Sequence, residues 1–205
     1  MSEENLDLSR RELLRNIGIS VTLSTAGANV VTAQDAGHVH HAVSEEKARG
    51  PYKPKCFNAH EYATLTRLSD LIMPADEHSK SAVEAGAPEF IDVLASNNEE
   101  LANIYTGGIS WLDQEMTRRH QSTFMEAKPE QQTALLDLIA YRKNESPELG
   151  PGIRFFAWVR NMVVDAYFTS KIGMDYLGFQ GNGAMSHFSV PAEAVEYALK
   201  RSPVR

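Results

Sequence analysis

FNAHEYATLTRLSDLIMPADE, residues Phe57 to Glu77, reads as one amphipathic helix with a defined start and stop. Asn58 stands where an N-cap belongs, and Glu61 lies three residues on, the spacing of a capping box. Leu65, Leu68, Ile72 and Ala75 recur at i, i+3, i+7 and i+10, along one side of a helix. Pro74 lacks an N–H and steers Met73 away from helical geometry, so the helix ends or kinks there. The acidic turn Ala75-Asp76-Glu77-His78 follows. By physics alone this is a core helix running into a solvated turn.

Downstream the helical period persists. Glu84 to Asp92 predicts a turn into a short helix, with Pro88 at its first position and Glu89 near its positive end. From Glu99 to about Gln121, Leu101, Ile104, Tyr105, Ile109, Leu112 and Met116 trace a helix of about five turns. Gly107-Gly108 lies inside it, where each glycine costs about 1 kcal/mol relative to alanine. The pair reads equally well as a tolerated weak spot or as a place where another backbone or a partner chain comes close. Pro129 opens a further helix near its first position, with Leu135, Leu136, Leu138 and Ile139 on its apolar side. Ser146 to Gly150 reads as a loop. Pro151 to Thr169 is apolar around most of its circumference, which predicts a central core helix. Gly173 and Gly178 imply tight turns with positive φ. Gly181 to Ser189 is a glycine-rich loop, and Pro191 to Arg201 a short helix with Val195 and Leu199 four apart. No convincing β alternation occurs. Residues 57–205 are therefore expected to form an all-α, single compact domain of five or six helices.

Upstream, residues 34–56 hold Gly37, Gly50, Pro51 and Pro54 among charges and alanines, and read as a flexible or extended linker. His38, His40 and His41 within it could bind a metal if ordered, but no carboxylate or thiol stands at a supporting spacing. A solvated tract is the favoured reading, and no metal site is assigned. Cys56 is the single cysteine, which excludes an intrachain disulfide and a multi-cysteine metal site. Residues 1–33 read as an export signal. Ser9-Arg10-Arg11-Glu12-Leu13-Leu14 has the twin-arginine form, followed by a weakly apolar run from Ile17 to Val31 that is too short and polar to span a membrane well. Val31-Thr32-Ala33 places small residues for cleavage before Gln34.

Four short stretches in order carry a family resemblance: Ile72-Met-Pro74-Ala75-Asp76-Glu77, Gly86-Ala-Pro-Glu-Phe-Ile-Asp92, the Y-x-G-G-I-x-x-L-D pattern of Tyr105 to Asp113, and the glycine-punctuated Tyr167 to Gly178. With the capped helix before the first, they resemble the small, gamma-type subunit 3 of membrane-bound gluconate 2-dehydrogenases. The resemblance implies a non-catalytic subunit whose partners are a large FAD-containing dehydrogenase and a multihaem cytochrome c, with FAD and haem c carried by those chains. It implies a periplasmic location, tied to the inner membrane through the complex. It also implies that Arg10 and Arg11 direct both this chain and the flavoprotein through the twin-arginine translocase. In that compartment Cys56 is either a free or buried thiol or a partner in an interchain disulfide, and the residues leave both readings open.

The residues themselves offer little chemistry. The residues three before His60, His78, His120 and His187 are Phe57, Ala75, Thr117 and Ala184, so no Glu-x-x-His pair of a ferritin-like di-iron site is present. There is no dinucleotide glycine loop, P-loop, nucleophile elbow or C-x-x-C-H haem attachment. His60-Glu61 and Asp76-Glu77-His78 have acid–base groups, yet such clusters are commonly surface pairs, and no catalytic or cofactor-binding residue is assigned. A net charge of −7 without a basic stripe excludes nucleic acid as a natural partner. The competing reading is a free-standing periplasmic helical module that binds a small ligand.

Overall fold

Eight α-helices and one short 3-10 turn make up the described part of the chain. A computed structural model describes residues 33–179 and 190–202. The expected export motif with Arg10 and Arg11, and the glycine-rich loop 181–189, lie outside these residues. The helices are α1 (Ala33–Ala48), α2 (Ala59–Ile72), α3 (Ala87–Ser96), α4 (Glu99–His120), α5 (Pro129–Ile139), α6 (Gly150–Thr169), α7 (Lys171–Tyr176) and α8 (Ala192–Arg201), with the 3-10 turn at Arg142–Asn144. No strand occurs among the described residues. The fold is all-α, as the periodicity predicts.

Local signals account for most of the boundaries. Asn58 accepts from the Glu61 N–H, and the Glu61 carboxylate accepts from the Asn58 N–H, both at 2.9 Å, a complete capping box on α2. Asn98 caps α4 in the same way through the Leu101 N–H at 3.0 Å. Acidic Glu99 and Glu100 in the first turn of α4, and Arg118, Arg119 and His120 in its last, suit the helix dipole.

The centre of the bundle is α6, which packs on α1, α2, α3, α4, α5 and α7. Its Ile153, Phe155, Val159, Met162, Val163, Ala166 and Tyr167 are buried, while Phe156 and Trp158 are only partly so. Around it gather Leu65 and Leu68 of α2, Phe90 and Ile91 of α3, Tyr105, Ile109, Leu112 and Met116 of α4, and Leu135 and Ile139 of α5. The α4–α6 crossing settles the question posed by Gly107-Gly108. A Cβ on Gly108 would lie 2.0 Å from the Phe155 ring, whereas one on Gly107 would meet nothing within 4 Å. Reciprocally, a Cβ on Gly152 would lie 2.2 Å from the Trp111 ring. Each helix thus gives up one side chain to seat an aromatic ring of the other.

Two expectations need correction. Residues 34–56 are not a flexible or extended linker throughout, because α1 occupies 33–48. Its buried stripe is Ala36, Val39, His40 and Val43, at i, i+3, i+4 and i+7, with Ala36 and Val43 buried and the other two half-buried. An alanine and a histidine in that stripe hide the helical period from a hydropathy reading. Gly173 does not take a positive φ. It sits inside α7 because a Cβ there would come within 2.1 Å of the Tyr167 carbonyl oxygen, while Gly178 does turn at φ +63°.

Candidate functional site

The most heavily hydrogen-bonded side chain among the described residues is Asp92 on α3, which is fully buried. Its Oδ1 accepts from the backbone N–H groups of Cys56 at 3.0 Å and Phe57 at 3.1 Å. Its Oδ2 accepts from the Lys55 N–H and the Tyr52 hydroxyl, both at 2.7 Å. Three consecutive backbone amides cup this carboxylate, the arrangement of an anion nest filled from within the chain. The strap 49–57 between α1 and α2 is thereby pinned across α3. Phe57, at its end, is buried with its ring 5.7 Å from that of Tyr105, and Asn58 then caps α2. One turn before Asp92, Glu89 receives Lys47 of α1 at 2.6 Å through Oε1, while its buried Oε2 has no partner. Lys55 of the strap reaches Glu46 of α1 at 3.1 Å. Burial and the Asp92 carboxylate push the Tyr52 hydroxyl well above its ordinary pKa, and burial with Glu89 does the same to Tyr62, whose ring lies 6.0 Å away.

Sequence reading places Asp92 in a motif but misses its role. The signal was present: Glu89 and Asp92 are acids three apart in APEFIDVLAS, a helix in which every residue from Ala87 to Val93 is buried. Acids on such a helix require partners.

The residues expected to matter are distributed elsewhere. Cys56 lies in the strap, half-buried, and burial together with Asp92 and Glu61 raises its thiol pKa. Pro74, Ala75, Asp76 and Glu77 form an exposed turn. Asp76 accepts from the N–H groups of His78 and Ser79, both at 2.7 Å, and from the Ser79 hydroxyl at 3.1 Å. These bonds hold its carboxyl below the usual range. Ala82 N–H closes the loop on the Met73 carbonyl at 2.9 Å. The motif is thus a turn held by its own aspartate. His38, His40 and His41 do not converge: His40 Nε2 lies 3.0 Å from the Thr169 hydroxyl with its ring on Phe90, His41 pairs with Glu45, and His38 is exposed. Among the described residues no three His, Cys, Asp or Glu side chains are grouped to hold a metal, and no helix is long and apolar enough to cross a membrane.

A groove of about 540 Å³ opens between the start of α2 and one side of α4. At its floor His60 Nε2 lies 2.6 Å from Asp113 Oδ2, and Asp113 Oδ1 accepts from the Phe124 N–H at 2.9 Å. Asn58 and Glu61 are spent in the capping box, Gln114 donates to Ser110, and Arg118 is held by Glu115. Two arginines, Arg118 and Arg119, hold the Glu115 carboxyl at about 2. Most of the groove's polar side chains already hold a partner within the chain.

Apolar exposure collects at the C-terminal end. Met174, Tyr176, Leu177 and Phe179 are exposed on and just after α7. In α8 no residue is buried, although Val195 and Leu199 share one side of the helix and Glu193, Glu196 and Lys200 the other.

Residues 59–183 match the family model described as gluconate 2-dehydrogenase subunit 3. The chain belongs to that family. The matched span takes in α2 to α7, with α1, the strap and α8 outside it. No curated protein and no solved structure matches the chain.

Proposed function

We propose that this member of the gluconate 2-dehydrogenase subunit 3 family is the small, non-catalytic partner of a large FAD-containing dehydrogenase. It escorts that flavoprotein through twin-arginine export. It then holds the flavoprotein in a periplasmic complex with a multihaem cytochrome c at the inner membrane. Flavin and haems belong to the partners. The observation that supports this reading best is the C-terminal surface. An amphipathic helix with no buried side chain, and exposed Met174, Leu177 and Phe179 on and after α7, are costly for a chain that works alone. The competing ligand-binding module draws no support from the polar groove, most of whose side chains already hold a partner.

Two variants test the escort. Receptor reading of paired guanidinium groups is geometric, so lysine does not replace arginine there. Arg10→Lys with Arg11→Lys is expected to leave both this chain and the flavoprotein in the cytoplasm. Val195→Glu with Leu199→Glu is expected to export this chain and strand the flavoprotein. Fractionation with a dehydrogenase assay of each fraction reads both, and normal amounts of flavoprotein in the periplasm of the lysine variant would overturn the escort.

A further inference from the structure

Residues 33–57 form an arm attached to the body by a narrow apolar stripe on α1, by the Phe57 ring at its end, and by a set of polar groups between them. Among the described side chains of α1, Ala36 and Val43 are the buried apolar ones. Two small side chains are a thin apolar contact for sixteen residues. The polar attachment is acidic and sits on one side of α3. Glu89 takes Lys47 at the end of α1, and Asp92 takes Tyr52, Lys55, Cys56 and Phe57 from the strap. Among the described residues no lysine, arginine or histidine side chain pairs with Asp92, and the hydrogen bonds it accepts from the strap exist only when the strap is closed over it. Without the strap, a buried carboxylate and three backbone amides would have to be rehydrated together. That makes closure cooperative.

We propose that Asp92 is a latch, and that the arm docks on the finished body as a separate two-state step. With the latch closed, whatever precedes Ala33 leaves the protein from the surface of α3 and α6. With it open, residues 33–57 become a 25-residue tether that reaches up to about 80 Å. The latch therefore sets how far the preceding segment stands from the body, and it closes only once α3 is in place. The meaning of this for export rests on the twin-arginine reading. The latch itself does not, since it follows from the contacts alone.

Hydrogen exchange on the full chain tests it. Amides 36–48 and 55–57 are expected to exchange as one group, at least tenfold faster than the α6 amides. Asp92→Asn keeps the size of the side chain but turns one acceptor into a donor. It should speed that group at least another tenfold, with α4 and α6 amides unchanged and one cooperative melt for the body. Tyr52→Phe, which removes a single donor and keeps the ring, should give the same pattern at smaller amplitude, and serves as the test if Asp92→Asn does not fold. Arm amides that exchange with those of α6 in the wild-type chain would overturn the latch. So would a Tyr52→Phe chain in which the arm exchanges at the wild-type rate. Loss of latch protection with normal flavoprotein export would retain the latch and reject only its bearing on export.

Discussion

Where α4 crosses α6, the contact is made by rings lying on glycines: Phe155 on Gly108 and Trp111 on Gly152. Where α1 and the strap meet the same bundle, a small apolar stripe and the Phe57 ring are joined by two carboxylates, one lysine, one tyrosine and three backbone amides. The first kind of contact is non-directional, dry and intolerant of added volume. The second is directional, tolerant of volume at its rim, and intolerant of a changed donor or acceptor. The two regions should therefore fail differently. The crossing should fail globally when an atom is added, and the arm locally when a proton or hydrogen bond is altered.

Gly108→Ala is the largest break. Its methyl group would lie 2.0 Å from Cδ2 and 2.2 Å from Cγ of Phe155, and Cγ is the root of the ring and cannot swing aside. A loss of about 3 kcal/mol or more is expected, read as a fall in the midpoint of denaturant unfolding with the arm and body lost together. Gly107→Ala sharpens the comparison in the other direction. With nothing within 4 Å, it should stabilise by about 0.5–1 kcal/mol through helix propensity alone. The same midpoint measurement checks it, and destabilisation there would mean that the neighbouring position is crowded after all. His40 gives the smallest effect and the most local one. Burial against Phe90 lowers its pKa below the ordinary 6.5, so the docked arm prefers neutral imidazole. The docking free energy is then fully present above pH 6.5 and falls as the pH drops through the lowered value. Exchange of amides 36–48 should quicken between pH 7.5 and 5.5, after correction for intrinsic rates, while α6 amides hold. His40→Gln should remove that dependence.

The helices of the body were legible because their apolar residues are large and recur at helical spacing, as in Leu65, Leu68 and Ile72 or Tyr105, Ile109 and Leu112. The central position of 151–169 was legible for the same reason. Helix α1 was not, since its buried stripe is written in alanine, valine and histidine, residues that hydropathy weighs lightly. The latch was not legible either, because no spacing rule links an aspartate to amides about 35 residues away. The motif Pro74 to Glu77 was found, yet the sequence does not say that Asp76 spends its carboxylate on its own turn. The paired glycines could only be resolved by placing Phe155 across them.

The two ring-on-glycine contacts are three residues apart on both helices, 108 and 111 on one and 155 and 152 on the other, in opposite order. They act as the teeth of a vernier between antiparallel rods. Sliding α4 by one turn, about 5.4 Å, would set Phe155 against Ile104 or Leu112 in place of Gly108, and Trp111 would leave its seat in the same stroke. Shear along this crossing is therefore closed to the domain. With both seats filled, α4 and α6 are expected to move as one rigid strut, and any change of shape falls to the segments at its two ends.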